Sequence, residues 1–274
     1  MNDLSVRSIQ RSRLMYLFEA AFEYLISILA TGSFLATLTK ELGVSDSLTG
    51  VLSSVISLGC LFQLLSLSIR KTSVKKLVIL FSIINQVLFM LLYVIPLTGL
   101  EKQIKILLFV VLIFSAYLIY YIAHPPKTIW LMSLVEINHR GRFTASKEII
   151  SLISGMIFSF GMGAVVDYFS NLGQMRIAFI ISTIVIFALM VLHSLTMIFA
   201  VEIPTPDRSQ KDSKHGLIEL VKNKKIIQYF CQSVKSFFRF LSVFLKILIK
   251  NLSNLHFTQV FERLLQARRV SMPS

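Results

Sequence analysis

The sequence predicts an all-α membrane protein, and three observations support this prediction. Of the 274 residues, 55% are hydrophobic and only 15% are charged, against about 25% charged in a typical globular domain. The mean hydropathy is +0.73, which is more apolar surface than one water-soluble core of this size can bury. Finally, the apolar residues occur in runs long enough to cross a bilayer, which takes about 20 residues per helix.

Six apolar stretches, each closed by a short polar connection, predict six transmembrane helices. None shows the alternating pattern of a barrel strand, and only a helix satisfies its own backbone hydrogen bonds in lipid at this length. At about 20 residues a span, the chain holds at most about ten or eleven spans, so we expect no complete twelve-span carrier. The predicted spans are residues 14–38, 48–69, 77–97, 106–135, 149–169 and 177–201.

The last quarter of the chain is a basic tail. The whole chain has a net charge of +14, and residues 202–274 contain 13 Lys and Arg against 5 Asp and Glu. A set of cations falls on one helix face, opposite a set of phenylalanines, and this favours a helix lying on the anionic inner leaflet over a seventh span. We therefore expect lipid, and not nucleic acid, as the partner of the tail. The cations on this helix face are Lys235, Arg239, Lys246 and Lys250.

The distribution of charge also predicts domains and orientation. Lys and Arg are concentrated in alternate connections, and positively charged loops stay in the cytoplasm. We therefore expect a multi-pass protein of the cell membrane with both termini in the cytoplasm.

The expected parts are a cytoplasmic N-terminus (1–13), a six-helix transmembrane domain (14–201), a cytoplasmic linker (202–225), an amphipathic or remnant seventh helix (226–250) and an irregular tail (251–274). The cytoplasmic cations are Arg7, Arg11, Arg13, Arg70, Lys71, Lys75, Lys76, Arg140, Arg142 and Lys147, and the opposite side has Lys40, Lys102, Lys105 and Arg176.

Two glutamates in the first span are the strongest functional candidates, because an ionisable group is expensive to place inside a bilayer. Glu19 and Glu23 are four residues apart, so they share a helix face at a separation of about 5–6 Å. Their repulsion in a medium of low dielectric favours a proton on one of them, which proton coupling requires. Alternatively, Glu19 lies near the cytoplasmic end and reaches the headgroups.

The fourth span contains further candidates. Pro125 and Pro126 remove two backbone donors, so we expect the helix to kink or break there and to line a cavity. Lys127 lies about level with Glu23 at a rise of about 1.5 Å per residue, so it pairs with that carboxylate or binds an anionic group of a substrate. A third alternative is that the kink serves packing and Lys127 reaches the inner surface. Trp130 follows on the same segment and is a candidate substrate contact.

Other polar and small residues within the spans are interpreted as structural. Uncharged polar side chains in a bundle bond across helices, and a lone histidine is a satisfied structural residue. Small residues at every fourth position favour close helix packing. The polar residues are Gln63, Asn85, Gln86 and His193, and the small residues are Gly155, Ser159 and Gly163 in the fifth span and Gly50 and Ser54 in the second.

The sequence contains no motif for catalysis or for a cofactor. We find no HExxH, no GxSxG and no phosphate-binding loop in it, so hydrolase and ATPase chemistry have no support. Cys60 and Cys231 are the only cysteines, and neither has the spacing of a disulfide framework or a zinc site. We therefore expect no enzymatic activity, no cofactor and no metal.

Three stretches resemble the N-terminal half of a transporter of the major facilitator superfamily. The resemblance covers about residues 15–203. It implies two three-helix inverted repeats and a substrate cavity shared with a second six-span half. The stretches are Glu23 with Gly32, Ser33 and the Leu42-Gly43-Val44-Ser45-Asp46 loop before Gly50, then Pro125 and Trp130 with Arg140-Gly141-Arg142-Phe143, and finally Gly163 with Asp167. The inner-loop residues that match are Arg70, Lys75, Lys76, Arg140, Gly141 and Arg142.

The sequence also departs from the family pattern. In the loop after the second span, Leu65 and Ile69 stand near the positions where the family has Gly and Asp, which weakens the expected latch between carboxylate and cation. In the later loop, Ser133 and Glu136 stand where the family has Asp and Pro. The fifth span lacks a proline, so antiport is not favoured.

The resemblance implies secondary active transport of a small solute whose chemistry is not readable, by symport or by uniport. Because the family pattern is lost after about residue 250, we expect a truncated or frameshifted chain that functions with a second copy of itself or with a separately encoded half. Two alternatives stay open. One is a remnant that inserts but does not transport, and the other is a membrane interaction protein that recruits partners through residues 226–250.

Overall fold

The computed structural model describes residues 3–59, 62–63, 66 and 74–202, together with residues 242 and 246. Across these ranges the chain forms α-helices joined by short turns and 3-10 segments, and the described residues include no β-strand. The helices are α1 (Asp3–Leu29), α2 (Gly32–Glu41), α3 (Asp46–Leu58), α4 (Val74–Val94), α5 (Lys102–Ser133), α6 (Arg140–Asn171) and α7 (Met175–Phe199).

Five stretches of the described residues are long and apolar enough to cross a membrane. They correspond to the first and to the third to sixth predicted spans, so the predicted fold class, an all-α membrane protein, is confirmed. The end of the second predicted span lies outside the described residues, as do nearly all of the linker, the amphipathic helix and the tail. The five stretches are Arg7–Glu41, Val74–Leu97, Lys102–Ser133, Ile137–Asn171 and Met175–Phe199.

The first span is interrupted, which the sequence analysis did not predict. α1 ends at Leu29 and α2 begins at Gly32, whose φ of +55° lies in the left-handed region. The hydroxyl of Thr31 donates to the carbonyl of Ser27 at 2.8 Å, which satisfies one of the carbonyls that the helix end leaves free. Glycine adopts this backbone conformation without the steric penalty of a Cβ atom, so the α-helical hydrogen bonding is interrupted there.

The fourth span, where a kink or break was predicted, is a single uninterrupted helix. α5 runs through Pro125 and Pro126 for 32 residues. Membrane helices tolerate proline because neighbouring groups satisfy the freed backbone carbonyls. The predicted alternative of a break is therefore wrong for α5, the alternative of a kink stays a prediction, and the span that is interrupted is the first one.

Four helices form the centre of the bundle. α4 packs on α5 and on α7, and α1 packs on α7 and on α6. These four are α1, α4, α5 and α7, and α6 lies at their periphery, since only Ser151, Gly155 and Met162 of its residues are buried. Many of its apolar side chains are exposed, as expected for a helix with a face toward lipid.

A polar layer separates two apolar clusters in this central group. The larger cluster includes Leu29 and Phe109, and the smaller one includes Tyr16 and Trp130. Each of the four central helices contributes to both clusters and places polar residues between its two contributions. The buried polar residues of this layer are Glu19, Ser82, Asn85, Gln86, Lys127 and His193.

Basic side chains bind backbone carbonyls at both ends of the bundle. At one end Arg13 donates to the carbonyl of Leu134 at 2.7 Å, and Lys75 donates to that of Ala200 at 2.6 Å. Glu202 accepts hydrogen bonds from the first backbone N–H groups of α4, at 2.9 and 3.2 Å, where a carboxylate interacts favourably with the helix dipole. At the other end Arg176 donates to the carbonyl of Leu97 at 3.4 Å.

Candidate functional site

A buried ion-pair network occupies the polar layer. The Nζ atom of Lys127, on α5, lies 2.9 Å from Oε1 of Glu19 and also donates a hydrogen bond to Oε1 of Glu23. Both carboxylates are on α1, so the predicted pairing between Lys127 and Glu23 across the bundle is present in the structure. The two glutamates share a helix face because they are four residues apart.

The three side chains of the ion-pair network differ in how much of their surface is exposed to solvent. The side chains of Lys127 and Glu19 are 5% and 2% exposed, whereas that of Glu23 is 24% exposed. Neither Glu19 nor Lys127 therefore reaches the headgroups, which excludes the interpretation that they snorkel. Glu23 is the most exposed of these three side chains.

His193 extends the network to α7. Its ring nitrogen Nε2 lies 3.1 Å from Oε1 of Glu19, and its Nδ1 lies 2.8 Å from Nε2 of Gln86. The side chain of His193 is fully buried. Both ring nitrogens of His193 are thus hydrogen-bonded, to α1 on one side and to α4 on the other, although its sequence neighbours indicated no partner.

A small cavity adjoins the network. It has a volume of about 10 Å³, which is room for roughly one water molecule. Its oxygen-bearing side chains come from three helices, and Lys127 closes one side. The lining residues are Glu23, Ser82, Asn85, Gln86, Tyr120, Ala123, His124 and Lys127.

The predicted role of the uncharged polar residues as links between helices is confirmed for two of them. Nδ2 of Asn85 donates to the carbonyl of Ala116 at 2.7 Å, which joins α4 to α5. Gln86 joins α4 to α7 through His193. The amide oxygen of Gln86 is nevertheless buried without a hydrogen-bond donor among the described residues, so this side chain is only half satisfied.

Trp130 lies apart from the network. It is buried in the smaller apolar cluster with Leu131 and Met197, and its Nε1 donates to the carbonyl of Val201 at 3.3 Å. Lys75 lies 6.0 Å from the centre of its ring. The structure thus places Trp130 at the end of the bundle, where it anchors α5 to the end of α7, and gives it no contact with the cavity.

The small residues of α6 do not share one role. A Cβ atom on Gly155 would lie 2.3 Å from the ring of Tyr24 on α1, so α6 and α1 approach each other closely at this position. Among the described residues, no atom lies within 4 Å of a Cβ atom built on Gly163 or on Gly50. Ser159 and Gly163 instead line an open cleft of about 380 Å³ beside the break in the first span, together with Asp167.

The inner-loop residues are partly described. Lys75 is bonded to the end of α7, and Arg140 donates to the carbonyl of Val135 at 3.2 Å. Lys76, Gly141 and Arg142 are exposed, and Arg70 lies outside the described residues. None of the described inner-loop residues has a hydrogen bond or ion pair to the buried network.

A polytopic helical bundle with a charged, hydrogen-bonded network in its interior belongs to the class of membrane proteins that carry ions or solutes, since intramembrane charges mark such pathways. Comparison with known protein families matches residues 16–261 to the Major Facilitator Superfamily. The chain belongs to this superfamily, whose members are membrane transporters rather than enzymes. No curated protein and no solved structure matches the chain.

Proposed function

We propose that this protein carries out secondary active transport of a small solute, and that Glu19, Glu23 and Lys127 form its coupling site. The observation that supports this proposal is the pairing of one buried lysine with two carboxylates of another helix. The family supports transport in general, and the network supports the coupling mechanism.

The energetics of burial favour a functional explanation of this network. Removing a charged group from water costs several kcal/mol per ion, and even a well-paired buried salt bridge is often no more stable than an apolar replacement. Helix packing alone therefore does not require these three side chains. Their position beside a cavity, on helices from different parts of the bundle, is typical of a site that binds protons or ions.

The unequal exposure of the two carboxylates supports a coupling cycle. Glu19 stays buried and keeps its bond to Lys127, whereas Glu23 faces the cavity. When Glu23 binds a proton or a cationic group of a solute, it loses its attraction for Lys127. The pairing in the network then changes, and this change can favour a different arrangement of the helices.

Transport is tested with membrane vesicles that contain the full chain and carry an imposed pH gradient. A mixture of small solutes is offered, and accumulation is measured by mass spectrometry against vesicles without the protein. We expect at least one solute to accumulate, and we expect a protonophore, Glu23→Gln and Lys127→Gln each to abolish this. Glu148→Gln is the matched control, because Glu148 is an exposed carboxylate on α6. Accumulation by Glu23→Gln at the normal rate and pH dependence would contradict the coupling role.

We also propose that the end of the bundle with Arg13, Lys75 and Arg140 faces the cytoplasm, since the loops richest in Lys and Arg stay on that side. Single cysteines at positions 40 and 76, in a chain whose Cys60 and Cys231 are replaced by serine, test this orientation. A membrane-impermeant thiol reagent added to intact cells should label position 40 and leave position 76 unlabelled. The reverse pattern would contradict the proposed orientation.

A further inference from the structure

The buried network contains more negative than positive charge. Glu19 and Glu23 carry two carboxylates, and Lys127 carries one ammonium group. With a neutral His193, the group has a net charge of −1 in a site from which most water is excluded. A buried cluster is more stable when its charges balance, because an uncompensated charge keeps its desolvation penalty. One additional positive charge is therefore favoured in this layer.

We infer that His193 is a proton-binding residue of the coupling site, and that Gln86 rotates its amide group to accommodate the bound proton. This inference deepens the proposed function and rests on it. It assigns a role in coupling to a residue of α7, in addition to the three on α1 and α5.

The hydrogen-bond geometry of His193 supports this role. Glu19 is an acceptor, so Nε2 of His193 at 3.1 Å donates to it in either protonation state of the ring. In the neutral ring Nδ1 is an acceptor and receives the amide N–H of Gln86, at 2.8 Å. In the protonated ring Nδ1 becomes a donor and needs an acceptor at the same place.

Gln86 can supply that acceptor. The amide nitrogen of Gln86 is turned toward His193, and its buried amide oxygen has no donor among the described residues. Rotation of the amide by about 180° places the oxygen against Nδ1. It also turns the NH₂ group toward the cavity, which oxygens of Glu23, Ser82 and Asn85 line. The protonated state thus satisfies the oxygen that the neutral state leaves unpaired.

The charged groups around His193 all affect the binding of a proton to its ring. Among the described residues, α1 places Glu19 against the ring with Glu23 one turn further on, and α5 places Lys127 on the far side of Glu19. α4 contributes the uncharged Gln86, and the described contacts place no charged side chain of α6 against the ring. Glu19 attracts a proton to His193, and Lys127 opposes it through the shared carboxylate oxygen. Protonation of the ring is therefore coupled to the pairing of Lys127.

The experiment is a ¹⁵N NMR pH series on the full chain in lipid nanodiscs, with ¹⁵N-labelled histidine side chains. His193→Gln assigns the signal of His193, and single replacements of the other four histidines assign it by elimination if that variant does not fold. We expect the series to contain an imidazolium signal from His193 that is replaced by the signal of a neutral ring as the pH rises. Glu19→Gln and Gln86→Leu should each lower the imidazolium fraction severalfold at a given pH. His139→Gln, which removes an exposed histidine, should leave the His193 signal unchanged.

A His193 ring that stays neutral across the range from pH 5 to pH 9 would overturn the inference, and so would an imidazolium that is indifferent to Glu19→Gln. The transport assay separates this failure from failure of the proposed function. If Glu23→Gln abolishes proton-driven accumulation while His193→Gln keeps its rate and pH profile, the coupling site stands and the role of His193 is wrong. If both variants shift or abolish the pH dependence, the role of His193 is supported.

Discussion

Nζ of Lys127 lies 2.9 Å from Oε1 of Glu19, and both side chains are almost completely shielded from solvent. This contact joins α5 to α1 through the interior of the bundle. Replacing Lys127 by alanine leaves the buried carboxylate of Glu19 and the partly exposed one of Glu23 without their cation, so we expect the free energy of unfolding to fall by about 3–5 kcal/mol. Denaturation of the purified chain in detergent micelles measures this loss. Lys76→Ala is the control, because Lys76 is an exposed lysine at the start of α4, and a loss no larger than that of this control would contradict the prediction.

Replacing the whole ion-pair group should have the opposite effect on stability. A triple variant with Glu19→Gln, Glu23→Gln and Lys127→Met removes the buried charges together, so no group keeps an uncompensated charge. We expect it to regain most of the stability that Lys127→Ala loses, while it transports no solute. The same denaturation and vesicle assays check both outcomes. A triple variant as unstable as Lys127→Ala would show that the charges are needed for the fold.

Gly155 lets α6 approach α1 closely. An added Cβ atom would lie 2.3 Å from the ring of Tyr24 and 2.9 Å from Cδ1 of Ile28, so both side chains would have to move. We expect Gly155→Ala to lower the free energy of unfolding by about 1–3 kcal/mol, the usual cost of overpacking. Gly161→Ala on the same helix meets nothing within 4 Å and should cause no loss. Equal effects of the two variants in a denaturation assay would argue against close packing at Gly155.

The break in the first span depends on the backbone conformation of Gly32. Its φ of +55° costs an L-residue with a Cβ atom about 1–2 kcal/mol. We expect Gly32→Ala to reduce stability by about this amount and Gly32→Asn by less, since asparagine tolerates the left-handed region. Gly50→Ala, inside α3 with open space around it, should be neutral or slightly stabilising. Thermal unfolding of the three variants in micelles tests this order, and a stabilising Gly32→Ala would refute the role of the left-handed turn.

Glu136 gives a pH-dependent contact at the cation-rich end of the bundle. The hydrogen bond and the positive charge of Arg13, whose Nη2 lies 3.0 Å from Oε1 of Glu136, lower the pKa of this carboxyl below its usual value. A lowered pKa in the folded state means that the contact stabilises the fold above the unfolded pKa and is lost as the pH falls through the folded one. We expect Glu136→Gln to have a lower Tm than the wild type at pH 7. This difference should vanish in strong acid, and a difference that stays constant between pH 7 and pH 3 would show that the ion pair is not its cause.

The positions of five spans could be predicted from the sequence, as could the central ion pair as one of the alternatives for Lys127. Long apolar runs specify membrane helices because lipid leaves the backbone no other way to satisfy its hydrogen bonds. Counting residues from the ends of two spans placed Lys127 and Glu23 at one depth, and a constant rise per residue makes such a count reliable. The depth of the two residues was enough to predict this contact, because two long side chains at one depth reach each other across the bundle.

Two features could not be predicted, and both depend on tertiary contacts. His193 has no charged neighbour on its own helix, so nothing in the local sequence showed that it meets Glu19, 174 positions away. Its distance from the end of the sixth span gave its depth but not the direction in which the ring points. The break in the first span depends on one glycine, while Pro125 and Pro126 are a stronger local signal that the surrounding helices accommodate.

The polar layer has a consequence for how the chain is assembled during synthesis. Glu23 enters the membrane 104 positions before Lys127, and Glu19 enters 174 positions before His193. A newly inserted first helix therefore carries two acidic groups, and the lysine with which they pair is absent until the fourth span emerges from the ribosome. α7 then brings the imidazole that completes the described network. The order of translation thus makes α7 the last of the helices in this network to be synthesised, and a ribosome that stalls before it leaves Glu19 and Gln86 without their partner on α7.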